Sequence, residues 1–134
     1  MRIEPYLYFE GRAEEAIELY RRVLGAEVKM LMHFKDAPDQ SMITPGTENK
    51  VMHASLRIGE SNVMVSDGRC QGKADFQGVA LSIIVNDESQ ADRIFAQLSE
   101  GGQVQMPLVT TFFSPRFGMV ADRFGVSWMV LVQN

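Results

Sequence analysis

Through "RAEEAIELYRRVLGA", Ala13, Ala16, Ile17, Tyr20, Val23 and Leu24 recur at three- and four-residue spacing, with Glu14, Glu15, Glu18, Arg21 and Arg22 opposite them. That period predicts an amphipathic helix. Its acidic residues come early and its basic ones late, as the helix dipole favours, and Gly25 is a suitable stop. The flanking stretches predict strands. "IEPYLYF" (Ile3–Phe9) is aromatic and apolar, with Pro5 marking an edge or a bend. "EVKMLMHF" (Glu27–Phe34) alternates. Lys35–Lys50 holds two prolines, a glycine and little periodicity, which predicts a long loop of functional or mobile kind. "MHASLRIG" (Met52–Gly59) and "SNVMVSD" (Ser61–Asp67) predict a hairpin turning at Gly59-Glu60.

After a polar, glycine-rich connector, "GRCQGKADFQG", the order restarts. Val79–Val85 predicts a strand. "NDESQADRIFAQLSEGG" predicts a helix capped at Asn86 or Asp87 and stopped at Gly101. Gln103–Phe113 predicts a strand interrupted by Pro107. Phe117–Gly125 and Val126–Gln133 predict a last hairpin, turning near Arg123-Phe124-Gly125. The order strand-helix-strand-strand-strand thus occurs twice, a repeat of architecture rather than of letters. The expected fold is α+β: tandem βαβββ modules, residues 1–67 and 78–134, in one domain spanning 1–134. Each helix covers one face of its sheet. Burying the other faces favours a curved mixed sheet around a cavity.

Composition narrows the function classes. Hydrophobic residues at 46% and charged residues at 22% are the balance of an ordinary globular protein. A net charge of −4 without a basic stripe argues against nucleic acid. No apolar run is long enough to cross a bilayer or to serve as a signal peptide. The single cysteine, Cys70, cannot form an internal disulfide, which fits a reducing compartment. A cytoplasmic location is expected. The nine methionines read either as a plastic core or as an adaptable pocket for an apolar ligand.

The tandem order, with "LYRRVLGAEV" closing the first helix, resembles the vicinal-oxygen-chelate superfamily of glyoxalase I, extradiol dioxygenases and bleomycin-resistance proteins. "PYLYFEGRAEEAIELYRRVLGAEV", "HASLRIGESNVMVSDG" and "FGMVADRFGVSWMV" together resemble its PhnB-like branch, often labelled as similar to 3-demethylubiquinone 3-methyltransferase. The methyltransferase label is not expected to hold. No glycine-rich turn opens the first helix, and no GxGxG pattern occurs.

The resemblance implies where metal ligands would fall. Metalloenzymes of the superfamily hold a divalent ion with His, Gln or Glu from the first and last strand of each half. Counting from Tyr20 and along the strands places those positions near Pro5, Met64, Val79 and Met129. None offers a nitrogen or oxygen donor suited to such an ion, so no metal and no cofactor is expected. An apolar pocket carrying Met64 and Met129 is expected instead.

Several polar residues remain as candidates. His53, which the resemblance also marks, is either a general base or ligand-orienting donor, or a half-buried imidazole bonded to backbone. Arg57 alternates onto the face of His53 and Ser55 and either clamps an anion or is solvated. Ser66 and Asp67 end a strand in "VSDG", a site of ligand contact or of local turn bonds. Asp122 invites the same turn reading. Arg116 beside Phe112, Phe113 and Phe117 makes either a ligand mouth or a surface turn or dimer contact. Trp128 alternates away from Met129 and is expected beneath a helix. His33 reads as solvated and Cys70 as an incidental thiol.

The expected function is metal-free small-molecule binding by a homodimer, with bleomycin-resistance proteins as the superfamily's precedent. The ligand is unnamed, and neither nucleic acid nor membrane is a partner. The alternatives are an enzyme of the same superfamily, metal-dependent or based on His53 with Pro45-Gly46 in a lid, and a structural dimer that binds no ligand.

Overall fold

The computed structural model describes residues 1–41 and 43–133. The chain forms two compact units, Met1–Ala74 and Asp75–Asn134.

The first unit contains β1 (Tyr6–Tyr8), α1 (Ala13–Leu24), β2 (Glu27–His33), β3 (Val51–Ile58) and β4 (Ser61–Ser66), in a four-stranded sheet of order β1-β4-β3-β2. β1 runs parallel to β4 and the other pairs are antiparallel. The second unit repeats this with β5 (Ala80–Val85), α2 (Glu88–Ser99), β6 (Gln103–Val109), β7 (Phe117–Ala121) and β8 (Ser127–Val132), in the order β5-β8-β7-β6. The architecture is α+β, two mixed sheets each with one helix.

α1 follows its apolar stripe. Ala13, Ala16, Ile17, Tyr20 and Val23 are buried, and Gly25 closes the helix in the left-handed conformation at φ 68°. α2 is capped by Asp87, whose carboxylate accepts from the Ser89 N–H, and buries Ala91, Ile94, Phe95 and Leu98. The sheet faces buried with these helices carry Leu7, Ala54, Leu56, Val63 and Val65 in one unit, and Val120, Trp128, Val130 and Val132 in the other.

β1 is shorter than the stretch Ile3–Phe9, because only three residues pair with β4. The long loop begins with a single 3₁₀ turn, Phe34–Asp36; Met42 within it lies outside the described residues. The letters repeat locally after all. "EVKM" opens β2 and "QVQM" opens β6, and in both the register shifts between Val and Met, leaving Lys29 and Gln105 as the extra residues of a bulge.

The methionines are not a plastic core. Among the described residues no methionine is buried; Met30 and Met106 are exposed, and Met32, Met64, Met119 and Met129 are half-buried. They stand on the sheet faces opposite the helices, because alternation sends their neighbours Leu31, Val63, Val120 and Val130 the other way.

Candidate functional site

The sheet face of the first unit opposite α1 brings together the chemistry that the sequence scatters. One row crosses all four strands: Tyr6, Met64, Ser55 and Met30 are successive cross-strand neighbours. Tyr8 faces Ser66, and Met32 faces His53. The residue beside Met64 on the first strand is therefore Tyr6, not Pro5. In the second unit the equivalent row is Ser82, Met129, Met119 and Met106, so Ser82, not Val79, stands beside Met129. Only pairing fixes which residue of β1 or β5 meets its neighbour.

The imidazole of His53 has a partner. Tyr6 Oη lies 2.7 Å from His53 Nδ1, and the rings are 5.5 Å apart. The alternative of an imidazole bonded to backbone is replaced by this side-chain pair, made across 47 residues of sequence. Tyr8 stacks on Tyr6, with centroids 5.0 Å apart. Burial first, and then the neighbouring Tyr8 phenol, push the Tyr6 phenol above its ordinary range, against a lowering hydrogen bond from Ser66. Ser66 is buried, and its Oγ accepts from the Gly68 N–H at 2.9 Å. Tyr6 and Tyr8 nonetheless remain 39% and 51% exposed, so this aromatic face is accessible.

The remaining candidates make contacts of their own. Arg57 shares the face, four residues along β3 and about 13 Å from His53 at the rise of a strand. Its Nε donates to the Gly59 carbonyl. Lys29 first, and Arg57 more weakly, hold the Glu27 carboxyl below the usual carboxylate range. Arg116 does not stand among the phenylalanines. Its guanidinium is taken by Glu88 at 3.0 Å and Asp92 at 3.2 Å on α2, while Phe117, the first residue of β7, packs edge-on with Phe113. Phe112 is fully exposed beside Phe113. In the second unit Ser82 Oγ lies 3.8 Å from Met129 Sδ.

Three expectations change. Asp67 does not serve its own turn: its carboxylate accepts from the N–H groups of Gly11, Ala13 and Val51, each at 2.8 Å, and so caps the start of α1 from β4. Asp122 does bond locally, to the N–H groups of Phe124 and Val126, but it also takes the indole N–H of the buried Trp128. His33 is not simply solvated. Its Nε2 lies 2.5 Å from Glu14, in a surface groove of 590 Å³ between α1 and β2.

Cys70 sits in a strained turn at φ 55°, where burial and then the Asp67 carboxylate raise its thiol above the ordinary range. The thiolate is the reacting species. Alkylation by iodoacetamide at mildly alkaline pH is therefore expected to be slower than for free cysteine. Mass spectrometry against time checks this, and labelling at the free-thiol rate would contradict it.

The donors near the four superfamily metal positions do not form the His and carboxylate set that a borderline divalent ion requires. They are thioethers, a phenol and a hydroxyl. Among the described residues, no group of three or more His, Cys, Asp or Glu is placed to hold an ion. Nor is either sheet the doubly wound parallel kind with a glycine-rich turn that a common methyltransferase uses. Among the described residues, no helix is long and apolar enough to cross a membrane.

Comparison with known proteins agrees with this architecture. The family model described as 3-demethylubiquinone-9 3-methyltransferase matches residues 1–131. Protein YjdN of Escherichia coli K12 is 35% identical, over 98% of this chain and 95% of its own. The crystal structure of protein PA1353 from Pseudomonas aeruginosa superposes with a TM-score of 0.88 at 38% identity, covering 99% of this chain and 98% of that one. A putative 3-demethylubiquinone-9 3-methyltransferase, PhnB protein, from Bacillus cereus gives 0.83 at 28%, covering 98% and 99%. A glyoxalase/bleomycin resistance protein/dioxygenase family enzyme from Burkholderia phytofirmans shares the fold alone, with 0.59 at 11% over 98% and 96% of the two chains. The tandem sheets, the phrases that carry the resemblance and the match across nearly the whole sequence place this chain in the PhnB-like family whose model bears the 3-demethylubiquinone-9 3-methyltransferase name, on the glyoxalase/bleomycin-resistance fold.

Proposed function

We propose that the protein binds a small molecule on the far face of its first sheet, without a metal. One observation carries this reading: a hydrogen-bonded Tyr6–His53 pair stands on an accessible surface otherwise built of Tyr8, Met32 and Met64. Few polar groups on an apolar, deformable lining are what orients a small ligand. Structural histidines need no such surroundings. Homodimer formation, by resemblance to the bleomycin-resistance proteins, and a cytoplasmic location, from the single cysteine and the lack of a long apolar run, belong to the same reading.

Native mass spectrometry of gently purified protein, with elemental analysis of the same sample, tests it. The expected result is a metal-free dimer with a reproducible small adduct. His53→Ala is expected to reduce adduct occupancy about tenfold, and Tyr6→Phe less, in proportion to the hydrogen bonds removed. One metal ion per chain, or full occupancy in His53→Ala, would sink the reading.

The pair also favours a second reading. A phenol bonded to an imidazole is an acid–base couple, and a raised phenol remains a proton donor at neutral pH. Turnover of the adduct by the wild type and not by His53→Ala would make the protein an enzyme at this same face.

A further inference from the structure

The hydrogen bond of Tyr6 fixes more than the position of His53. The hydrogen between Tyr6 Oη and His53 Nδ1 can come from the phenol or from the ring. The geometry makes the phenol its source. The 2.7 Å separation agrees, since hydroxyl donors give shorter bonds than ring N–H donors. A phenol is also the better donor of the two, and an imidazole nitrogen the better acceptor. Nδ1 is thus an acceptor, and the neutral ring carries its proton on Nε2. Among the described residues no hydrogen bond reaches Nε2, and no buried side-chain nitrogen or oxygen is left without a partner, so Nε2 opens onto the surface.

We infer that His53 presents an Nε2–H donor and that this face selects ligands offering a carbonyl-type acceptor on an aromatic or otherwise planar apolar body. The inference rests on the binding reading above. The Tyr6–His53 hydrogen bond sets the direction of the donor, while Tyr8, Met32 and Met64 supply a flat, polarizable bed. Tyr6 is a positioning residue: it acts on the ligand through the tautomer of His53.

The test uses the full chain with ¹⁵N-labelled histidine, at a pH above the ordinary imidazole range. Ring ¹⁵N shifts are expected to show a protonated Nε2 and a bare Nδ1 in the wild type, and a mixture of tautomers in Tyr6→Phe. Acetophenone, ethylbenzene and benzylamine are then titrated as probes with an acceptor, with neither group, and with a cationic donor. Acetophenone is expected to bind about threefold to tenfold tighter than ethylbenzene, the worth of one hydrogen bond, and to move the His53 Nε2 signal. A wild type with its proton on Nδ1 overturns the inference whatever binds. Equal binding of the three probes at this face overturns the selection while leaving the binding reading intact. No perturbation of the face by any probe overturns both.

Discussion

Asp67→Ala is expected to lower stability by about 4 kcal/mol, read as a fall in the urea midpoint with little change in its slope. The carboxylate is buried and accepts from three backbone N–H groups. Alanine leaves the Ala13 and Val51 groups buried and unpaired and removes a side-chain cap of α1 that Arg12 at its N-terminus does not replace. Each orphaned donor costs roughly 1–3 kcal/mol, and their sum reaches the range reserved for severe lesions. Asp67→Asn is the discriminating control. It keeps one acceptor oxygen and turns an NH₂ group towards a donor, so its loss should fall between wild type and alanine. If Asp67→Ala stays within about 1 kcal/mol of wild type, water satisfies these groups and the carboxylate is dispensable.

Gly102→Ala is expected to cost about 3 kcal/mol, the upper end for overpacking. A Cβ there would lie 2.2 Å from the Ala121 carbonyl oxygen, 3.0 Å from that of Leu98 and 3.1 Å from the Asp122 carbonyl carbon. All three are backbone atoms, and they tie the end of α2 to β7, so none yields as a side-chain tip would. Gly101→Ala is the useful comparison. Gly101 has the unfavourable φ of 72° but only ordinary contacts with Arg123, so its cost is the conformational one, about 1–2 kcal/mol. Thermal melts of the two variants should therefore rank Gly102→Ala lower. The reverse order would show that backbone conformation, not space, decides this corner.

Local order was legible and pairing was not. The α1 stripe, the Gly25 stop, the Asp87 cap and the Gly59-Glu60 turn are all written within a few residues of one another, and each stands where its pattern puts it. The partner of His53 lies 47 residues away, and those of Asp67 lie 16 to 56 residues away, so no local signal announces them. Asp67 before Gly68 carries the letters of a turn, yet its carboxylate serves distant amides. A tyrosine in an aromatic strand, such as Tyr6, reads as packing. Its alternation with Leu7, which puts it on the face of Met64, was the one clue available. The ion pairs of Arg116 with Glu88 and Asp92 are likewise non-local, 24 to 28 residues apart in sequence.

The bulge shared by "EVKM" and "QVQM" bears on ancestry. An extra residue in an edge strand is a structural particularity that families inherit, not something the fold demands. Its presence at the same step of both sheets marks the halves as copies of one module. What has diverged since is the row that crosses each far face: Tyr6, Met64, Ser55 and Met30 in one copy, Ser82, Met129, Met119 and Met106 in the other. The methionines of the last and edge strands stand at matching places in the two rows, while the tyrosine, and the histidine bonded to it, distinguish the first half. The two halves share one scaffold, and the hydrogen-bonded tyrosine–histidine pair stands on the first.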